Sequence, residues 1–150
     1  MSLRLALWAA LAGGLIPIMA VLNARLGRAL GDALFAPMVL FVVALTASLI
    51  IGLSLRSETI NLNALMETNP LNLAGGLIVC FYVLSATLLA PKMGVGNFIM
   101  FAVVAQVIVA GCIDQFGLFG AVVRELNPMR LVGLALLVLG LIVSQLSYEN

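Results

Sequence analysis

Residues 95–123 read VGNFIMFAVVAQVIVAGCIDQFGLFGAVV, a stretch whose strongly polar side chains are Asn97, Gln106, Asp114 and Gln115 alone. As one straight helix it would measure roughly 44 Å, against a hydrocarbon core of about 30 Å. The stretch therefore holds one membrane crossing and must bend, tilt or end before its apolar character does. Asp114, Gln115, Gly117 and Gly120 lower helical propensity and apolarity together, which puts the end near residue 116 and the crossing at about 96–116. Asn97 reads as the cap of this helix.

The same reasoning extends in both directions. Downstream, Asn127 and Pro128 introduce an apolar run at about 129–146, followed by the polar tail Ser147, Tyr148, Glu149 and Asn150, with Tyr148 suited to the far interface. Upstream, a run at about 71–90 starts after Asn69-Pro70, a cap and first helical residue, and stops at Pro91, which has no N–H to continue the ladder. Lys92, Met93 and Gly94 then make a tight connection. The polar stretch from Arg56 to Asn69 carries Ile60, Leu62, Leu65 and Met66, spaced as a short amphipathic segment on the membrane surface. Before it lies a crossing at about 35–55, capped by Asp32 and closed by Arg56, Ser57 and Glu58. The first apolar run spans about 3–22, with Arg4 able to snorkel to the headgroups and Trp8 near the same boundary. A basic residue, an apolar stretch and small residues also describe a secretory signal peptide, but the chain stays apolar for another hundred residues, so this run reads as a retained helix.

Composition gives the same fold class. The chain has 150 residues, of which 64% are hydrophobic and 9% charged, whereas a soluble domain is about 45–50% apolar and about 25% charged. Such a chain cannot wet its own surface. Five crossings of about 20 residues each use about 100 positions and leave room only for termini and short loops. The reading is an all-α polytopic membrane protein, a single five-helix transmembrane domain over residues 1–150. A net charge of +1 without a basic run excludes the electrostatic footprint of a nucleic-acid binder. With no histidine, and with Cys80 and Cys112 isolated inside apolar runs where a thiol acts as a small buried hydrophobe, there is no ligand set for a metal and no cofactor is expected. An enzyme is not expected either, since no helix carries a nucleophile beside a base.

Five crossings put the termini on opposite faces. Arg4, Arg56, Arg124 and Arg130 then fall on the N-terminal side and Arg25, Arg28 and Lys92 on the other, a bias of 4 − 3 = 1. Since the Lys/Arg excess of cytoplasmic loops sets orientation, a chain with almost no excess inserts either way, unless Arg124 and Arg130 or the early helices fix one direction. Two copies in opposite orientations would form an antiparallel dimer, a ten-helix inverted-repeat fold of the kind in which transporters hold solute near the midplane.

Several residues are candidates for the solute pathway. Pro17 leaves the Gly13 carbonyl without its helical donor at mid-membrane, Gly13 and Gly14 allow close approach there, and Asn23 lies further along the same helix; a packing kink is the alternative. Gln106 and Asp114, eight residues apart, fall about 80° apart around the helix and about 12 Å along it, within one sector. Asp114 reads as a proton or cation site, or as an interfacial acid that caps a broken helix or pairs with Arg124 or Arg130; Gln106 reads as a solute ligand or an interhelical hydrogen-bonder. Tyr82 and Ser85 share a face of the third crossing. Gly133 and Gly140, seven apart in the fifth crossing, make a smooth stripe assigned to the dimer interface.

The pattern Gly13-x3-Pro17-x5-Asn23, then Gly75-Gly76, then Gly94-x11-Gln106-x7-Asp114 followed by Phe116-Gly117-Leu118, resembles the YdcZ family of bacterial membrane proteins. These are five-helix members of the drug/metabolite transporter superfamily, related to the small multidrug resistance and EamA-type transporters. The resemblance implies an inner-membrane location and dual-topology, paired or fused forms. Met19 stands where many members carry glutamine. The small multidrug exporters use a glutamate in the middle of their first helix; that helix holds no acid here, so their proton-coupled mechanism is not implied.

The function expected is a secondary transporter of a small metabolite or drug-like solute, working by alternating access as a dual-topology dimer. Its partners would be a second copy or a homologous subunit in inverted orientation, membrane lipids and the solute. The alternatives are a non-transporting subunit that stabilises an oppositely oriented homologue, and a lipid-translocating protein that uses Arg25 and Arg28 to receive headgroups.

Overall fold

The computed structural model describes residues 2–55 and 62–147. The expected closure by Arg56, Ser57 and Glu58, the contribution of Ile60 and of the Leu62 side chain to a surface segment, and the interfacial placement of Tyr148 lie outside the described residues. Six α-helices are described: α1 Leu3–Leu30, α2 Phe35–Leu55, α3 Leu62–Glu67, α4 Ala74–Met93, α5 Val95–Phe116 and α6 Pro128–Leu146. Five helical spans, α1, α2, Pro70–Met93, α5 and α6, are long and apolar enough to cross a membrane. Two compact units contain them, Met1–Val95 and Gly96–Asn150.

Three boundaries differ from the sequence reading. The first helix does not end at residue 22 but continues to Leu30. Polarity leaves the hydrocarbon there without breaking the backbone: Arg25, Leu26, Arg28, Ala29 and Leu30 are good helix formers, and Asn23 has its side chain satisfied by a partner on α4. The stop is Gly31, at φ 82°, whose N–H reaches the Arg28 carbonyl at 3.3 Å. With 28 residues α1 is roughly 42 Å long, more than the thickness of a hydrocarbon core of about 30 Å.

The second difference is Pro91, which lies inside α4 rather than ending it. Its fixed φ is helical, and the bond it forgoes is one near the helix end. Gly94, at φ 87°, makes the break and is the only residue between α4 and α5. Because that break is so short, α5 already starts at Val95, and Asn97 is a buried residue of its first turn rather than its cap.

Two other caps match the expectation: Asn69 accepts from the Leu71 N–H at 2.9 Å ahead of a 3₁₀ turn at Pro70–Leu73, and Asn127 accepts from the Arg130 N–H at 2.8 Å at the start of α6. Asp32 accepts from the Leu34 N–H at 2.9 Å within the turn that precedes α2, three residues before its first residue.

In the first unit α1, α2 and α4 pack together. The buried positions are small: Ala20, Asn23 and Gly27 on α1, Ala36 and Pro37 on α2, and Val83, Ala86, Thr87 and Ala90 on α4. On α1 and α4 they recur every three or four residues, which puts them on one face of each helix. Apolar side chains gain little from hiding when lipid is the alternative, so close backbone approach supplies the contact. Gly27 shows how close: a Cβ there would stand 2.8 Å from the Ala33 Cα.

The second unit is an antiparallel hairpin of α5 and α6. After Phe116, Gly117 turns left-handed at φ 60°, a 3₁₀ turn covers Leu118–Gly120, and residues 121–127 run back along the end of α5. The Arg124 N–H donates to the Asp114 carbonyl at 2.8 Å and the Leu126 N–H to the Gln115 Oε1 at 2.6 Å, so the returning backbone is paired. The apolar run from Val95 therefore ends as a returning segment, in agreement with a crossing that stops near residue 116.

Candidate functional site

The chemistry-bearing residues separate into a polar seam in the first unit and a two-ended clasp in the second.

In the first unit, Asn23 Nδ2 donates to Thr87 Oγ1 at 2.6 Å, and the Thr87 hydroxyl donates to the Val83 carbonyl at 2.8 Å. Both residues are buried, at 4% and 2% exposure. In a hydrocarbon setting an amide needs such a partner, because no water is present to replace it. The α1 face that is closed at Ala20, Asn23 and Gly27 is half-buried at Pro17 and exposed at Gly13, where a Cβ would meet nothing within 4 Å. Gly13, Pro17, Ala20 and Gly27 thus run along one stripe of α1 that passes from open to sealed, while Asn23 lies about 120° around the helix from Pro17. Tyr82 and Ser85 are both half-buried on α4, beside the buried face that carries Thr87. A shallow apolar cavity of 370 Å³ is lined by Leu15, Met19, Leu22 and Asn23 of α1 and Leu40 of α2.

In the second unit, α5 and α6 are tied near both ends. Arg130 Nη2 donates to Asp114 Oδ2 at 2.6 Å, with the two side chains 41% and 30% exposed. At the other end Gln145 Nε2 donates to Asn97 Oδ1, half-buried between the helices. Of the two readings open for Asp114, pairing with Arg130 is the arrangement present. Between the ties lies an apolar groove of 540 Å³, lined on α5 by Met100 and Val103 and on α6 by Gly133, Leu137 and Gly140. The two glycines assigned to a dimer interface therefore form part of the wall of a groove in their own hairpin.

Gln106 is not among the groove-lining residues. It is exposed, and its side chain makes no hydrogen bond with any described residue. Gln106 and Asp114 are accordingly in different circumstances, one unpartnered and one engaged.

Both cysteines are free thiols; Cys80 is half-buried and Cys112 exposed on the surface of α5, rather than both being buried hydrophobes. Among the described residues no three histidine, cysteine or acidic side chains gather as a metal site.

Sequence reading did not single out Thr87, Gln145 or Gly27, and it read Gln115 as marking the end of a helix rather than as the acceptor for the returning backbone. Thr87 and Gln145 are polar side chains inside apolar runs, which is a signal for an interhelical partner. Nothing in one sequence says which partner.

A protein-family model described as "Putative inner membrane exporter, YdcZ" matches residues 4–143. No curated protein and no solved structure matches the chain significantly.

Proposed function

The chain belongs to the YdcZ family of inner-membrane exporters, and from that premise we propose that it is a secondary carrier of a small metabolite or drug-like solute, working by alternating access as an antiparallel, dual-topology dimer. That it is a multi-pass transporter of the inner membrane follows from the family and from five spans of crossing length. The dimer, its orientation and the solute class are the proposal.

Gln106 carries it. A side-chain amide exposed on a helix of crossing length, with no hydrogen bond to any described residue, would face lipid in a lone copy. Moving an unpaired amide from water into a medium that cannot hydrogen-bond costs about 4–8 kcal/mol. A partner from outside the chain removes that penalty, and a second copy or a bound solute supplies one. Support comes also from α6, in which no residue is buried, and from the near-even division of Lys/Arg between the two faces.

In this reading the Gly13–Pro17 opening on α1, with Tyr82 and Ser85 of α4, borders the path in one unit. Gln106 meets solute or its counterpart in the other, and Gly133 and Gly140 let a helix of the second copy approach. Asp114 holds the hairpin through Arg130 and is not needed as a proton carrier.

The experiment is accessibility labelling of a single cysteine placed at residue 147 in a variant lacking Cys80 and Cys112, in the native membrane without homologous subunits, paired with solute uptake in proteoliposomes. Two comparably sized populations, one labelled from each side, are expected. Uniform labelling from one side ends the dual-topology reading.

A further inference from the structure

One end of the first unit holds a cavity that the transport reading does not use. The last turn of α1 carries Arg28 and the last turn of α4 carries Lys92, and both line a single cavity of 470 Å³ whose wall also includes Gly27, Asp32, Thr87 and Pro91. Neither cation has an ion-pair partner among the described residues, in contrast to Arg130, which has Asp114. Asp32, the one acid in the wall, already accepts the Leu34 N–H. The concavity exists because its floor is small: Gly27 lies against Ala33 so closely that no side chain fits.

Arg28 has a second position of note. Together with Ala24 and Pro91 it also lines a neighbouring apolar cavity of 120 Å³ that continues along Ala20, Val21, Ala90 and Val95. The guanidinium-bearing residue thus stands where a cationic cavity joins an apolar one, near the C-terminal end of a helix whose length exceeds a hydrocarbon core of about 30 Å. Two cations with a net charge of +1 after Asp32 favour an anion, and Arg adds the forked geometry suited to phosphate oxygens. The adjoining apolar chamber favours an alkyl chain on that anion. A helix C-terminus alone would also attract Arg28 and Lys92, but it would not place them on a common cavity with a lipophilic extension.

We propose that this two-part cavity binds the phosphate group of an anionic amphiphile, with Arg28 and Lys92 on the phosphate and the chamber at Ala20, Val21 and Val95 on its chain. The phosphate comes either from a bilayer lipid or from a diffusible alkyl phosphate. The site is separate from the transport reading, because occupancy is measured without transport.

The test is the thermal midpoint of the full chain in dodecyl maltoside, titrated with phosphatidylglycerol, with octyl phosphate, or with uncharged octyl glucoside. A saturable rise is expected with one or both phosphates and not with octyl glucoside. A rise with phosphatidylglycerol alone identifies a bilayer source, and a rise with octyl phosphate alone a diffusible one. Each charge-assisted hydrogen bond removed is expected to weaken the half-saturating concentration about tenfold, so R28Q/K92Q shifts it by at least that much while R25Q does not. Ala24→Leu fills the junction of the chambers without altering charge and is expected to abolish the saturable rise; it serves where R28Q/K92Q fails to fold. No saturable rise with either phosphate, an equal rise with octyl glucoside, an unchanged response in a folded R28Q/K92Q, or an equal loss in R25Q overturns the proposal.

Discussion

Asn23 on α1 and Thr87 on α4 meet at 2.6 Å although 64 positions separate them in the chain, and the register they set brings Arg28 and Lys92, each five residues further on, to one cavity. Equal offsets on two helices mean that α1 and α4 run side by side in the same direction. The bond fixes both their rotation and their axial alignment.

Asn23→Leu and Thr87→Val should therefore each destabilise the first unit, by about 1 kcal/mol, within the range seen for hydrogen bonds between membrane helices. The double variant N23L/T87V should lose no more than the worse single one, because the second change removes a partner already lost. Unfolding in mixed detergent micelles measures all three; full additivity would show that the two residues act apart.

Gly27→Ala and Gly13→Ala should part company. At Gly27 the added methyl would come within 2.8 Å of backbone at Ala33, so the α1–α2 turn must shift, at about 1–3 kcal/mol. At Gly13 it meets nothing within 4 Å, and replacing a helical glycine should stabilise by about 0.5–1 kcal/mol. If the Gly13 opening borders the solute path, uptake falls in the Gly13 variant even as its melting temperature rises, a combination that a purely structural role does not produce.

Gln106→Leu should leave the monomer folded, since no bond within the described chain is broken, and should weaken self-association and uptake together. Analytical ultracentrifugation in density-matched detergent reads the first and proteoliposome uptake the second. Unchanged dimerisation and unchanged uptake would return Gln106 to an ordinary lipid-facing position.

Asp114→Asn and Arg130→Gln remove the same partly exposed ion pair, and each should cost about 0–1 kcal/mol. Because Asp114 is engaged in the hairpin, a folded Asp114→Asn should retain solute uptake in proteoliposomes. Loss of uptake in that folded variant would return Asp114 to the solute path.

The five spans could be read because apolarity over about 20 residues is a statement about solvent, and lipid is the solvent. The same measure misplaced two helix ends. At residue 22 the chain turns polar while its backbone has every reason to continue, and at Pro91 a breaker sits where its missing N–H matters little. Gly31 and Gly94, both at positive φ, are the stops. The candidate site was legible as residue types but not as pairs. Asn23, Asn97 and Asp114 are visibly out of place in apolar runs; that their partners are Thr87, Gln145 and Arg130 depends on the register of facing helices, which a helical period does not fix.

Ties near both ends of the α5–α6 hairpin restrict how it can deform. Sliding one helix by a turn, about 5.4 Å, would break both links, and swinging open from either end would break one. The deformation that keeps both is a bowing between the ties, like the limbs of a strung instrument, over the stretch where Met100, Val103, Leu137 and the two glycines line the groove. A guest that wedges into that waist would do its work by flexing two helices between fixed ends, and would relax them on leaving.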